Sequence, residues 1–213
     1  MSIGIPAEAF EFYEHLAADP TKSWWDAHKG EYDTTVRAPL LALGEALADE
    51  FGTPKLFRPY RDVRFSKDKS PYKDHQGMYT ELAEGVGYYL QVSATGLMAA
   101  GGWYSSGTEQ VAQFRSAVDE EVPAATLRSV LDGVRSAGLE VGGEQLKSRP
   151  RGVPADHPNL DLLRYKTLFA QTSWEPAAWM GGDELFARVR QTWSALQPLC
   201  EWLAATVDGG EAA

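Results

Sequence analysis

The residues best equipped for chemistry are cations gathered in two stretches. Residues 55–75 hold Lys55, Arg58, Arg61, Arg64, Lys67, Lys69 and Lys73 against Asp62, Asp68 and Asp74, a net of +4. Residues 147–166 hold Lys147, Arg149, Arg151, Arg164 and Lys166 against Asp156 and Asp161, a net of +3. Together they carry 12 of the 20 Lys and Arg residues of a chain whose net charge is −10, so the remainder stands at −17. A guanidinium fork matches the two oxygens of a carboxylate or phosphate, and an ammonium adds a point charge. Basic loops in an acidic body attract a small anion, while the mean field repels DNA and anionic membranes. The expected anion-binding set is Arg61, Arg64, Lys67, Lys69, Lys73, Arg149 and Arg151. The competing account is that these cations pair with carboxylates inside the fold.

Proton transfer needs a carboxylate or imidazole near the bound anion, and Asp62, His75 and His157 are the candidates. If residues 60–65 are extended, Arg61 points inward beside Val63 and Phe65, and Asp62 shares the outer face with Arg64. Asp74-His75 and Asp156-His157 are adjacent pairs whose side chains diverge in extended chain. His15, His28, His75 and His157 form no His-x-x-x-His or His-x-His pair, so no metal site is read. No cofactor is read either. Ser66-x-x-Lys69 and Ser70-x-x-Lys73 match the spacing of serine–lysine hydrolases, but the companion motifs are missing. The glycine-rich run 101–107 lacks the ending of a P-loop and the spacing of a dinucleotide fingerprint. Cys200 sits in an apolar helical pattern and reads as a small buried hydrophobe.

These groups must be positioned by regular elements. Apolar periodicity predicts a helix from Pro6 to Leu16, stopped at Asp19-Pro20. Thr21 caps a second helix carrying Trp24, Trp25, His28 and Tyr32, which Pro39 is expected to break or kink. Leu40, Leu43, Leu47 and Phe51 then continue an amphipathic face up to Gly52. Three strand-like runs follow over 78–83, 86–94 and 97–104, with Gly85 and Gly96 in the turns, so consecutive hairpins form an antiparallel sheet. Gly101 and Gly102 mark a bulge or a close backbone approach. Ser106-Gly-Thr-Glu109 resembles a capping box, Pro123 starts a further helix that Gly138 ends, and residues 142–159 read as loop. A short helix over 160–165, a strand over 168–174 and a helix over 183–207 bent near Pro198 complete the chain. The fold class is therefore α+β: a hairpin-rich antiparallel sheet flanked by N-terminal, central and C-terminal helices. One domain over 1–213 is expected, with 207–213 as a frayed tail. No signal peptide or long apolar run is seen, so no membrane partner and a cytoplasmic location are expected.

Arg61-Asp-Val-Arg-Phe-Ser-Lys-Asp-Lys-Ser-Pro-Tyr-Lys73 resembles the signature of the DUF2461 family. Supporting matches are Gly87-Tyr-Tyr-Leu90, Gly101-Gly-Trp-Tyr104, Gly143-Glu-Gln-Leu-Lys147 and Pro150-Arg-Gly-Val-Pro-Ala-Asp-His-Pro158, leading into Leu162-Leu-Arg-Tyr-Lys166. Trp24-Trp-Asp-Ala-His28 is similar to the family's aromatic helix. Ser70 stands where the family commonly has Thr, which keeps the hydroxyl. The resemblance implies an α+β domain, and names no substrate or catalytic residue. Three functions remain in view. One is a binder of, or enzyme acting on, a small phosphate- or carboxylate-bearing ligand. Another is a nucleic-acid module that stacks bases on Tyr60, Tyr72 or Trp103. The third is a non-catalytic interaction or scaffold domain.

Overall fold

Apolar faces at helical spacing and two glycine-cornered hairpins build an α+β architecture, seen in a computed structural model that describes residues 3–62, 64, 70–104 and 107–207. Lys67 and Lys69 of the expected anion site lie outside the described residues. So do Val63 and Phe65, the capping Ser106 and the tail from 208 onward. Six strands form an antiparallel sheet in the order β1-β2-β3-β4-β6-β5. They are β1 (Pro54–Leu56), β2 (His75–Ala83), β3 (Val86–Ser93), β4 (Gly96–Trp103), β5 (Glu140–Gly142) and β6 (Leu168–Trp174). The chain divides into two compact units, one of Met1–Thr80, Tyr89–Ala99 and Ser173–Gln191, the other of Glu81–Tyr88, Ala100–Thr172 and Thr192–Ala213.

The first unit opens with α1 (Glu8–Ala18) and α2 (Lys22–Glu31). The Thr21 hydroxyl accepts the Trp24 N–H at 3.2 Å, as expected of an N-cap. Pro39 does not break the helix. The chain runs through a π-helical turn, Tyr32–Arg37, into α3 (Ala38–Phe51), and the Ala38 N–H reaches back five residues to the Asp33 carbonyl. The wider turn brings Pro39 to the start of α3, where a missing N–H is tolerated. Leu40, Leu43, Leu47 and Phe51 are buried along one face. Gly44 lets α3 lie against β2, since a Cβ there would stand 2.4 Å from the Met78 sulfur.

In the second unit, α4 (Thr108–Asp119) and α5 (Glu121–Ser136) bury Phe114, Val118, Leu127 and Leu131. The helix start differs from the expected capping box by one residue. Gly107 is the N-cap, and the Gln110 side chain accepts its N–H at 3.2 Å. Gly102 has φ 145°, and a Cβ there would meet the Leu168 carbonyl at 2.5 Å, which is the close approach expected of the paired glycines. The short helix α6 (Leu160–Leu163) precedes β6, and α7 (Asp183–Val207) closes the chain. Cys200 is buried and its thiol is pushed up to about 12, chiefly by burial, which suits a packed hydrophobe rather than a nucleophile. No helix among the described residues is long and apolar enough to cross a membrane.

Candidate functional site

Each basic segment contributes to a short two-stranded ladder marked by an isolated bridge. In the first unit the bridge is Tyr60 to Tyr72. The Arg61 N–H donates to the Pro71 carbonyl at 2.9 Å and the Lys73 N–H to the Pro59 carbonyl at 2.8 Å. Pro59 and Pro71 give up no ladder donor, because each serves only as an acceptor here. The bridged tyrosines anchor the ladder on α2: Tyr72 stacks on Trp25 at 4.3 Å, and Tyr60 lies 6.1 Å from the same indole. Burial of Tyr72 and Trp103 removes both from the set that could stack on bases.

This ladder gathers the cations. Arg61, Ser70, Tyr72, Lys73 and Asp74 line a cavity of about 260 Å³ together with Leu16, Ala17 and Pro20 from the end of α1. The Arg61 guanidinium is 28% exposed and stands 3.7 Å from an Asp74 oxygen. Its expected neighbours on the inner face, Val63 and Phe65, lie outside the described residues. Lys73 is half-buried, with its Nζ 5.1 Å from the centre of the Phe57 ring. Its ammonium is pushed below the usual lysine range, first by burial and then by the charges of Arg58 and Arg61. Ser70 donates its hydroxyl to the Tyr72 carbonyl at 3.2 Å.

Asp62 and Arg64 form a separate, exposed pair. The Arg64 Nη2 lies 2.6 Å from Asp62 and its backbone N–H donates to the same carboxylate at 3.1 Å. An Asx turn thus joins the two side chains, not the strand alternation expected. Arg64 holds the Asp62 carboxyl below the usual carboxylate range, which makes Asp62 a poor base. Asp74 and His75 do not diverge as expected. Asp74 precedes β2, the backbone bends there, and its Oδ1 lies 2.8 Å from the His75 Nδ1. This bond first, and Arg61 as a smaller cause, hold the Asp74 carboxyl low. With Nδ1–H given to Asp74, His75 keeps Nε2 as a proton acceptor. Asp74 was absent from the expected site; its place next to a histidine, between Lys73 and a strand start, was the available signal.

In the second unit the bridge is Gln145 to Tyr165. Here the cations hold the backbone. The Arg164 Nε donates to the Leu146 carbonyl at 2.8 Å and Nη2 to the Lys147 carbonyl at 3.1 Å. Lys166 pairs with Glu144, and Arg128 grips Asp161 through two bonds of 2.8 and 2.7 Å. Arg149 and Arg151 sit exposed on the following loop and make no ion pair among the described residues. His157 accepts the Asn159 N–H at Nδ1 and lies 3.1 Å from Asp119 at Nε2, so both nitrogens are engaged in holding the loop. No group of three or more metal-ligating side chains occurs among the described residues.

The model of the conserved hypothetical protein family DUF2461 matches residues 8–202, a span that includes both ladders. No curated protein matches the chain. Since the match covers nearly the whole chain, this protein belongs to the DUF2461 family.

Proposed function

We propose that the first unit binds a small phosphate- or carboxylate-bearing ligand in the cavity beside the Tyr60–Tyr72 ladder. The supporting observation is that Arg61 and the half-buried Lys73 both line that cavity. Two cations on one cavity wall favour an anion placed between them. Arg61 and Lys73 are the holding groups, Ser70 lines the wall, and Asp74 orients both Arg61 and His75. His75 brings a proton acceptor to the same ladder, a role that the engaged Asp62 and His157 do not fill. Arg149 and Arg151, in the second unit, remain exposed cations available to a ligand, but nothing gathers around them.

A thermal-shift series at constant ionic strength tests the reading. Phosphate should raise Tm over chloride by several degrees, since saturation at about 100 times Kd adds about 2.7 kcal/mol. Arg61→Ala should abolish that rise. An equal response to phosphate and chloride would remove the proposal.

A further inference from the structure

We infer that the ligand of the first unit's cavity is a short aliphatic monocarboxylate, a single negative charge joined to an apolar body; this deepens the anion reading and rests on it. Two segments of unlike chemistry line the cavity. Arg61, Ser70, Tyr72, Lys73 and Asp74 come from the ladder, and Leu16, Ala17 and Pro20 come from the end of α1.

The way α1 ends fixes the apolar lining. Leu16 is buried and roots the last turn in the core, while Ala17 and Pro20 are exposed. The Asp19 N–H donates to the His15 carbonyl at 3.0 Å, and the Asp19 carboxylate accepts the Thr21 N–H at 3.3 Å. Pro20, between them, has no N–H with which to continue the helix. Leu16, Ala17 and Pro20 therefore offer a ligand apolar side-chain surface, with no side-chain donor or acceptor. On the ladder, Tyr72 is buried and held in place by its stack on Trp25 at 4.3 Å.

The charged lining is Arg61 and Lys73 against Asp74, two cations and one carboxylate, a net of +1. The Arg61 guanidinium stands 3.7 Å from the Asp74 carboxylate, whereas Lys73 makes no ion pair among the described residues. One negative charge balances this set. A phosphate ester, which carries about −1.5 to −2 at neutral pH, brings surplus charge towards Asp74. Size points the same way. The cavity of about 260 Å³ falls below the roughly 300–1,000 Å³ of pockets for drug-sized ligands, so the body is a few carbons long. A carboxylate between Arg61 and Lys73 with its alkyl chain on Leu16, Ala17 and Pro20 takes that apolar surface out of water, and each added methylene then strengthens binding.

NMR titrations of the full chain with inorganic phosphate, acetate and butanoate, at one ionic strength, test this. Phosphate reads the cations alone. Butanoate is expected to bind on the order of tenfold tighter than acetate, the worth of two buried methylenes. In the unaltered chain the amides of Leu16 and Ala17 should shift more with butanoate than with acetate, a readout that needs no substitution. Ala17→Ser combined with Pro20→Ser should bring the butanoate-to-acetate ratio below about threefold. Equal affinity for acetate and butanoate, with phosphate bound, overturns the inference and leaves the anion site standing. So does a butanoate advantage that the double variant does not reduce. Binding of none of the three overturns the inference and the anion reading together.

Discussion

Two ladders of like composition put their cations to opposite uses. At the Tyr60–Tyr72 ladder, Arg61 and Lys73 line a cavity. At the Gln145–Tyr165 ladder, Arg164 closes on two backbone carbonyls, and Lys166 and Arg128 are each matched to a carboxylate. Net charge alone cannot separate these cases, because +4 and +3 describe a cavity wall and a set of clamps equally well. What separates them is the sign of the environment at each cation. A guanidinium facing carbonyls stabilises the fold, whereas Arg61 and Lys73 border open space.

The largest expected difference is in binding. Arg61→Ala or Lys73→Met should weaken phosphate binding by about ten- to a hundredfold, the worth of a charge-assisted hydrogen bond. Arg149→Ala combined with Arg151→Ala should change it less than twofold. Titrations of both proteins check this, and similar losses in the two would erase the contrast. Lys73 also predicts a pH dependence. Its ammonium is held below the usual lysine range, chiefly by burial, and a bound anion would raise it again. Binding therefore takes up a proton as pH approaches the lowered value, and affinity falls as pH climbs through it. Titration in buffers of different ionisation enthalpy reads that proton directly.

Next in size is a loss of stability in the second unit. Arg164→Ala leaves the Leu146 and Lys147 carbonyls without their donor and should cost about 2 kcal/mol in urea unfolding. Arg164→Lys should recover only part of it, because an ammonium lacks the fork. Phosphate binding should be unchanged in both. Smaller again is Asp161→Asn, about 0.5–1 kcal/mol, since its pair with Arg128 is exposed to water and salt. The Arg128 guanidinium holds the Asp161 carboxyl below its ordinary value of 3.8. Its contribution is therefore full above that value and is lost as pH falls through the lowered one. The gap between the two proteins should stay level from neutral pH down to mildly acidic solution, then close in stronger acid.

Much of the fold was legible because local chemistry and tertiary structure agree. Gly85 and Gly96 hold positive φ at hairpin corners, and Gly52 and Gly138 do so at helix ends, as a residue without a Cβ can. Two helix details were not legible. Pro39 reads as a break, yet a π turn absorbs it, and the pattern of apolar residues is the same either way. At α4, Gln110 rather than Glu109 reaches back to the cap, a choice set by one residue of register. The site divides in the same manner. Charge counting located both basic segments, but alternation did not foresee the turn that joins Asp62 to Arg64. Neither could tell that Arg164 would find carbonyls 17 and 18 residues away in sequence, since such partners exist only after folding. Neither could tell that Phe57 would stay exposed, because an apolar residue in sequence carries no record of which side of the sheet is covered.

We place the anion at the Tyr60–Tyr72 ladder rather than at the Gln145–Tyr165 ladder. The direct test is a calorimetric titration of inorganic phosphate into the unaltered chain, Lys73→Met and Arg149→Ala/Arg151→Ala, with Tm recorded for each. One phosphate per chain is expected in the first and third proteins and at least a tenfold loss in the second, with Tm kept within a few degrees. Unchanged binding in Lys73→Met, or loss confined to the Arg149 and Arg151 variant, would contradict it.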